Sequence, residues 1–442
     1  MGSPRILVVS SPRGLARAIP NVFAALAAGG AELTFAEEAP AGVEAGSVDL
    51  PLDHTRSESG AVALLRRVSD LVRFLGPEFA DVYWPRRRTA LRALVAAGHP
   101  DAEALAARAD DWRLPPEVHA RVSSMLAELE HRLPPDEALT RALSEAAVDA
   151  VLLVSRCSLG GAERDVLKVT RALGLPSVLL VWSWDNLSSK ALLVEHPDHV
   201  LVWNDTQVDE AQRLHGIARD RVHALGAPGF DPFFAEVEAL GPKKDDGRAT
   251  IVYLGSSTNI SRHEPEAFGL WLEAVRAAPD PAVRDARVVV RPYPGTGAWK
   301  RWHPPDDERL TVDRGKKLEA HGLAAALRQA DVVVALNTSG ELEAAIAGRP
   351  VVTFRGGELA PGQEGSVHFE YLLEERGGFV VDSLDLAEHV ANLARVLDGG
   401  YDQARLRMFV ERFVRPCGLE RPVAPIVAQR ILELAGRSAH AA

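Results

Sequence analysis

The 442-residue sequence predicts an α/β protein built as two successive halves, each a parallel sheet wound by helices. Three observations predict it. Short, uninterrupted apolar runs recur along the chain, the pattern of parallel strands buried on both faces. Between them lie segments with apolar residues at three- and four-residue spacing. An aperiodic stretch rich in Gly, Pro and charge, residues 236–249, divides the two series and reads as a linker.

In chain order, Arg5–Ser10 reads as a strand, Ile19–Ala28 as a helix and Ala31–Ala36 as a second strand, a βαβ opening. Residues 58–146 are mostly helical, and LLRRVSDLVRFL and VHARVSSMLAELEHRL each carry an apolar face. That insertion is longer than a crossover needs and is suited to shaping an acceptor site. Strands resume at Ala150–Ser155, Ser177–Trp182, His199–Trp203 and Arg221–Leu225, with helices at Glu163–Leu173 and Gln207–His215. Past the linker come strand Thr250–Gly255, a helix near Glu264–Ala277, strands Arg287–Arg291 and Leu310–Val312, and helix Leu318–Gln329. Strand Val332–Leu336, a short helix, strands Pro350–Phe354 and Gly378–Val381, and helices 384–397 and 403–413 complete the second half. The expected domains are therefore 1–235 and 250–415. Residues 416–442 form a tail whose helix, about 423–435, folds back on the first half. Ligands of open α/β sheets lie beyond the carboxyl ends of the strands, so two such sheets facing a cleft bring together one ligand from each half.

Composition sets the class. The chain is 47% hydrophobic and 25% charged, a globular balance. A formal net charge of −11 argues against a general nucleic-acid binder, which needs a basic face. Two cysteines, Cys157 and Cys417, make no disulfide framework or cysteine zinc site, which fits a reducing, cytoplasmic setting. No apolar run reaches the length of about 18 residues that a membrane span needs, and MGSPRILVVSSPRG lacks a cleavage pattern.

The most informative stretch is Ala330–Phe354, a strand–turn–helix–strand unit. Thr338 and Ser339 stand at the helix start, Glu341 follows Thr338 at capping-box spacing, and Gly348 and Pro350 mark its end. A helix start at the end of a parallel strand offers N–H groups to phosphate, and Glu343 can accept hydrogen bonds from a ribose. The alternative is an ordinary strand–cap–helix unit. Two further turns belong to the same sheet edge. Gly255-Ser256-Ser257-Thr258 allows close backbone approach, and Arg291-Pro292-Tyr293-Pro294 places Arg291, able to clamp a phosphate bidentately, directly after a strand. Together with Asn337–Glu343 they outline a nucleotide-diphosphate site.

The string ELEAAIAGRPVVTF resembles the glutamate–alanine helix and following strand of glycosyltransferases with two Rossmann-like domains, the GT-B fold. The same layout occurs in UDP-sugar 2-epimerases and polyol-phosphate transferases. The resemblance implies that the glutamate matching Glu343 holds the donor ribose and that Thr338-Ser339-Gly340 meets the diphosphate. Arg291-Pro292-Tyr293-Pro294 is similar to the Arg-Pro-His-Pro element of glycerophosphotransferase-like proteins, with Tyr293 in place of His. SWDNLSSK (Ser183–Lys190) and HVLVWNDTQVDEAQRLHGI resemble bacterial surface-polysaccharide glycosyltransferases of this fold.

In SWDNLSSK, tryptophan faces at Trp182 and Trp184 suit a sugar ring, Asn186 and Lys190 can bond hydroxyls, and Asp185 can deprotonate an acceptor. The alternative has Asp185 capping a turn or helix and both tryptophans in the core. Glu163, in the turn RCSLGGAERD, is a second candidate base or a first-turn helix acid. Asn204-Asp205-Thr206 is similar, with a cap from Asp205 or Thr206 expected. Arg13, after the first strand, is placed to touch the acceptor, and Trp84-Pro85-Arg86-Arg87-Arg88 offers a basic patch to anionic lipid headgroups or forms a solvated helix face. His54, His215 and His223 read as structural. No Asp-x-Asp, phosphate-loop or His-Glu-x-x-His motif occurs, and no metal or cofactor is expected beyond the nucleotide-sugar co-substrate. The expected activity is inverting, metal-independent sugar transfer from a nucleotide-diphosphate donor, UDP foremost, to an acceptor hydroxyl. Alternatives are CDP-polyol phosphotransfer, UDP-sugar 2-epimerisation and an inert nucleotide- or sugar-binding scaffold.

Overall fold

The structure is a computed structural model describing residues 3–52, 60–79, 87, 89–91, 94, 112–159, 161–243, 247–257, 261, 263–293, 297–314, 320–336, 338–357 and 366–438. The chain divides into two compact units, residues 1–229 with 413–442, and residues 230–412.

Unit 1 is built on a parallel sheet of order β3-β2-β1-β4-β5-β6-β7. Its strands are β1 (Arg5–Ser11), β2 (Glu32–Phe35), β3 (Gly46–Ser47), β4 (Ala150–Ser155), β5 (Ser177–Val181), β6 (His199–Val202) and β7 (Val222–Ala224). The helices used below are α1 (Pro20–Ala28), α2 (Gly60–Arg73), α3 (Pro116–Arg132), α4 (Glu137–Glu145), α5 (Glu163–Leu173), α6 (Asn186–Ser189) and α7 (Asp205–His215). The apolar run of β1 divides by alternation. Ile6 and Val8 join one core with Phe23 of α1, while Leu7 and Val9 join the other with Leu139 and Leu143 of α4 and Val166 and Val169 of α5. A strand buried on both faces needs no polar positions, which is why it reads as continuous. β3 had no signal in the sequence, being two residues long and glycine-containing. α7 is capped by Asn204, whose Oδ1 accepts from Gln207 N at 3.0 Å, rather than by Asp205 or Thr206. Extended backbone at Asn204 aims its side chain at the first free N–H groups.

The insertion docks on α5 through charge rather than oil. Arg66 of α2 lies between Glu130 of α3 (2.8 Å) and Asp165 of α5 (2.7 Å), with all three side chains almost fully buried. Arg164 pairs with Asp70 at 2.8 Å, and Glu195 takes Lys168 at 2.8 Å and Arg171 at 2.7 Å. Burial opposes the charge on Arg66, but its bonds to Asp165 and Glu130 outweigh it and hold the guanidinium above its ordinary range. Arg87, read as part of a basic patch, is buried instead, donating to the carbonyls of Phe74 (3.0 Å) and Phe79 (2.8 Å). Its neighbours Trp84, Pro85, Arg86 and Arg88 lie outside the described residues, as does His54.

Unit 2 is a parallel sheet of order β10-β9-β8-β11-β12-β13. Its strands are β8 (Thr250–Leu254), β9 (Arg287–Arg291), β10 (Leu310–Val312), β11 (Val332–Ala335), β12 (Val351–Val352) and β13 (Val380–Val381). Around it lie α8 (Asp231–Ala239), α9 (Glu264–Arg276), α10 (Ala320–Gln329), α11 (Gly340–Ile346), α12 (Leu386–Leu397) and α13 (Gln403–Val414), the last crossing into unit 1. α8 occupies the start of the stretch read as linker, nucleated by Asp231 and Pro232 in its first turn. An aromatic cluster of Tyr253, Phe268, Trp271 and Trp299 fills one face of this sheet.

The closing helix α14 (Val423–Ser438) belongs to unit 1: Val427, Ile431 and Leu434 lie in the same core as Phe23 and Leu26 of α1. Among the described residues no helix is long and apolar enough to cross a membrane.

Candidate functional site

Each sheet reverses its strand order once, and that reversal opens a crevice beyond the carboxyl ends of the strands. In unit 2 it falls between β8 and β11. The register Leu254↔Ala335 sets Gly255-Ser256-Ser257 beside the turn that leads to Thr338, Ser339 and Gly340. Gly255 N–H donates to Arg291 O at 2.8 Å, so the β9 turn adjoins as well. Both glycines allow close approach. A Cβ on Gly340 would stand 2.8 Å from Leu254 Cδ1, and one on Gly255 would stand 3.0 Å from Tyr293 N.

Within this crevice the groups differ from their expected roles. Ser256 is buried and committed: its N–H (2.7 Å) and hydroxyl (2.8 Å) both donate to Glu264 Oε2, which also accepts from Trp299 Nε1 at 3.1 Å. Burial pushes the Glu264 carboxyl up to about 7 against those donors. Arg291 is not an open clamp. It pairs with Asp313, which ends the neighbouring β10, and donates to Gly322 O at 2.8 Å. Ser257 and Thr338 are partly buried, while Ser339 and Tyr293 are exposed. Ser339 is the N-cap of α11 without a side-chain cap bond, and Glu341 is buried. The helix end is as expected: Gly348 sits at φ +73°, Gly348 N–H reaches Ala345 O (2.9 Å) and Arg349 N–H reaches Ala344 O (2.9 Å). Thr258 and Asn337 lie outside the described residues.

Glu343, in the first turn of α11, is the unusual group. Its Oε2 is closed off from solvent and has no hydrogen-bond partner among the described residues. Burial pushes this carboxyl up to about 7, countered in part by its own backbone N–H. A buried acceptor without a donor costs about 1–3 kcal/mol, which a ligand hydroxyl would offset.

In unit 1 the strand order reverses between β1 and β4. Ser11 pairs with Ser155, Arg156 N–H donates to Ser11 O (3.0 Å), Trp182 N–H to Ser155 O (2.9 Å) and Ala191 N–H to Cys157 O (2.8 Å). The turns after β1, β4 and β5 are thus stitched side by side. Arg13 is exposed and donates to Leu50 O at 3.3 Å. Glu163 is buried and accepts from the Ser155 hydroxyl. Burial raises its carboxyl, and the Ser155 hydroxyl, its own backbone N–H and the Ser11 hydroxyl counter it in part. A Cβ on Gly161 would fall 1.9 Å from Glu163 Oε2, so only glycine lets that side chain fold back.

Asp185 keeps about a fifth of its side chain exposed. Its Oδ1 accepts from Asn186 Nδ2 (3.0 Å), and its Oδ2 from Ser189 Oγ (2.9 Å) and Lys190 Nζ (3.1 Å). Asn186 is buried and spends its Oδ1 on Ser183 N–H at 2.9 Å, so it braces the turn instead of meeting an acceptor. Trp184 is core, edge-on to Phe413 with ring centroids 6.0 Å apart, and offers no open face to a sugar. Trp182 is partly exposed.

Three residues that hold these turns escaped the sequence. Glu264 had a faint signal, an acid beside Pro265 at a helix start. Asp313 and Arg291 are opposite charges ending adjacent strands, a pattern visible only once the β9–β10 pairing is known. Arg73, discussed below, had none. His215 is structural as expected, its Nδ1 accepting from Leu193 N–H at 3.1 Å, and His223 pairs with His199 at 3.2 Å.

No family model matches the chain, and neither does any curated protein. Solved structures do. A Listeria monocytogenes protein assigned as a UDP-N-acetylglucosamine 2-epimerase matches over 100% of this chain and 98% of its own, with TM-score 0.52 and 12% identity. The α,α-trehalose 6-phosphate synthase of Burkholderia multivorans matches over 100% and 98%, with TM-score 0.49 and 14% identity. The glycosyltransferase SnogD of Streptomyces nogalater matches over 98% and 99%, with TM-score 0.44 and 16% identity. The chain has the GT-B type of fold, two Rossmann-like units with parallel sheets.

Proposed function

We propose that this chain is a glycosyltransferase that moves a sugar from a nucleotide-diphosphate-sugar, a UDP-sugar foremost, to an acceptor hydroxyl. The observation that carries the reading is Glu343: a buried carboxylate oxygen without a donor among the described residues, in the turn that flanks the unit 2 crevice. A ribose diol supplies the missing O–H groups. In that reading Ser257, Thr338 and Ser339 meet the diphosphate, and Arg291 reaches it by exchanging Asp313 for phosphate.

Unit 1 takes the acceptor. A base must first reach its proton, and Asp185, partly exposed at the carboxyl edge, does so more readily than buried Glu163. Asp185 removes the acceptor proton, the acceptor oxygen bonds to the anomeric carbon, and the bond to the diphosphate breaks with inversion. Glu163 then holds the β4 turn through Ser155, and Arg13 and Lys190 bond acceptor hydroxyls.

The test is a thermal-shift and turnover panel of UDP-, GDP-, CDP- and TDP-linked donors. Stabilisation by one donor, abolished in Glu343→Ala and weakened in Arg291→Ala, is expected, with donor consumed only when an acceptor is present. Conversion of a UDP-sugar to its 2-epimer without acceptor replaces the reading with epimerisation. Stabilisation by CDP-glycerol alone replaces it with polyol-phosphate transfer. No stabilisation by any donor sinks it.

A further inference from the structure

The residue that ends α2, Arg73, is almost fully buried, 5% exposed, and reaches far along the chain. Arg73 Nη1 donates to Lys190 O and Ala191 O, each at 2.6 Å, and Nη2 donates to Leu187 O. Its guanidinium carbon lies 5.5 Å from the Phe74 ring centre and 5.6 Å from that of Phe79. These carbonyls belong to α6 and the turn after it. A one-turn helix leaves its last carbonyls without intrahelical partners, and the planar fork of an arginine suits several at once.

The same turn is gripped from two other sides. His215 takes Leu193 N–H on Nδ1, so Nε2 carries the proton and donates to Leu187 O at 2.7 Å. Burial and the adjacent Arg73 keep that ring neutral. Arg164, itself paired with Asp70 of α2, donates to Leu192 O at 3.2 Å. Residues Ala63, Arg66, Asp70 and Arg73 recur at helical spacing along the buried face of α2. Ion pairs set the register of that face on α5, and Arg73 is its last member.

Three donors to Asp185 lie on this one turn: Asn186, Ser189 and Lys190. Holding the carbonyls of Leu187, Lys190 and Ala191 therefore fixes the carboxylate against its donors. We propose that Arg73 is a positioning residue for the transfer reaction, delivered by the helical insertion to hold the Asp185–Lys190 turn in reactive geometry. The inference rests on the reading of that turn as the acceptor-side base, and it adds a reason for the insertion: its α2 helix sets the catalytic turn.

The experiment compares Arg73→Lys, Arg73→Met and Asp185→Asn in the full chain. It reads kcat, donor KM, the pH profile of kcat, folded fraction by circular dichroism, and amide hydrogen exchange at residues 187–193. Arg73→Lys keeps charge and most of the volume, so it guards against a variant that fails to fold. Expected are a kcat at least tenfold lower in both Arg73 variants, a donor KM within twofold, faster exchange confined to residues 187–193, and a displaced acid limb of the profile. Unchanged kcat or unchanged exchange in Arg73→Lys, with Asp185→Asn inactive, overturns the inference alone. A kcat loss that only tracks a lower folded fraction also overturns it. Full activity of Asp185→Asn removes the base reading and the inference with it.

Discussion

Single carboxyl groups set the behaviour of unit 2. Glu343 titrates near pH 7 in the free protein because burial penalises its charge. In the proposed binding mode a ribose hydroxyl donates to the ionised form, so binding must first remove the proton. Affinity for a nucleotide-sugar, whose diphosphate diester does not titrate in this range, should therefore rise roughly tenfold between pH 6 and pH 8. Calorimetry across that range checks it, and Glu343→Gln should be flat. Glu264 makes a different prediction, about stability. Its folded value of about 7 lies above the ordinary 4.5, so the folded state binds more protons between those values. Its contribution is fully present below about pH 4.5 and is lost as pH rises through about 7. Urea unfolding from pH 5 to pH 8 should show that loss, diminished in Glu264→Gln. Glu264→Ala should cost about 2–3 kcal/mol, since the Ser256 and Trp299 donors lose their acceptor. Residue types in the site were legible in the sequence and residue commitments were not. Ser256 and Arg291 read as phosphate ligands because nothing in a string of letters shows that Glu264 and Asp313 reach them first.

At the scale of elements, buried strands and amphipathic helices announced themselves, since alternation and 3.6-residue periodicity survive in the sequence. What stayed hidden was the polar docking of α2 and α3 on α5. Their buried faces carry Arg66, Asp70, Arg73 and Glu130, and charge at helical spacing reads as a solvated face until its partners are known. A buried pair broken on one side leaves an uncompensated charge. Arg66→Met should destabilise unit 1 by about 3–5 kcal/mol, by the urea midpoint, because Glu130 and Asp165 would both lose the guanidinium between them. Combining it with Asp165→Asn and Glu130→Gln should recover much of that loss, and failure to recover would show that packing rather than charge is at stake.

For the whole molecule, the two-sheet plan was legible from the order of runs and breaks alone, while the division of the chain was less so. The sequence places a break in residues 236–249, whereas the second unit already begins at Phe230 and ends at Arg412. α14 returns to the core of α1, so the C-terminal residues complete the first-made unit. Val427→Asp places a charge in that core and should unfold unit 1, removing one thermal transition while the nucleotide-induced shift of unit 2 persists.

That return has a consequence for how the protein is made. Within unit 1, Ala227 N–H donates to Val414 O at 2.9 Å, so the two points where the chain leaves and re-enters are hydrogen-bonded neighbours. Unit 2 is in effect a passenger spliced into a host. A ribosome finishes the passenger before the host has its last helix, so the guest can fold while its carrier still waits for the C-terminus. Excising residues 230–412 and bridging the gap with a few glycines should leave a smaller, self-standing host, whereas a simple truncation after Gly229 should not.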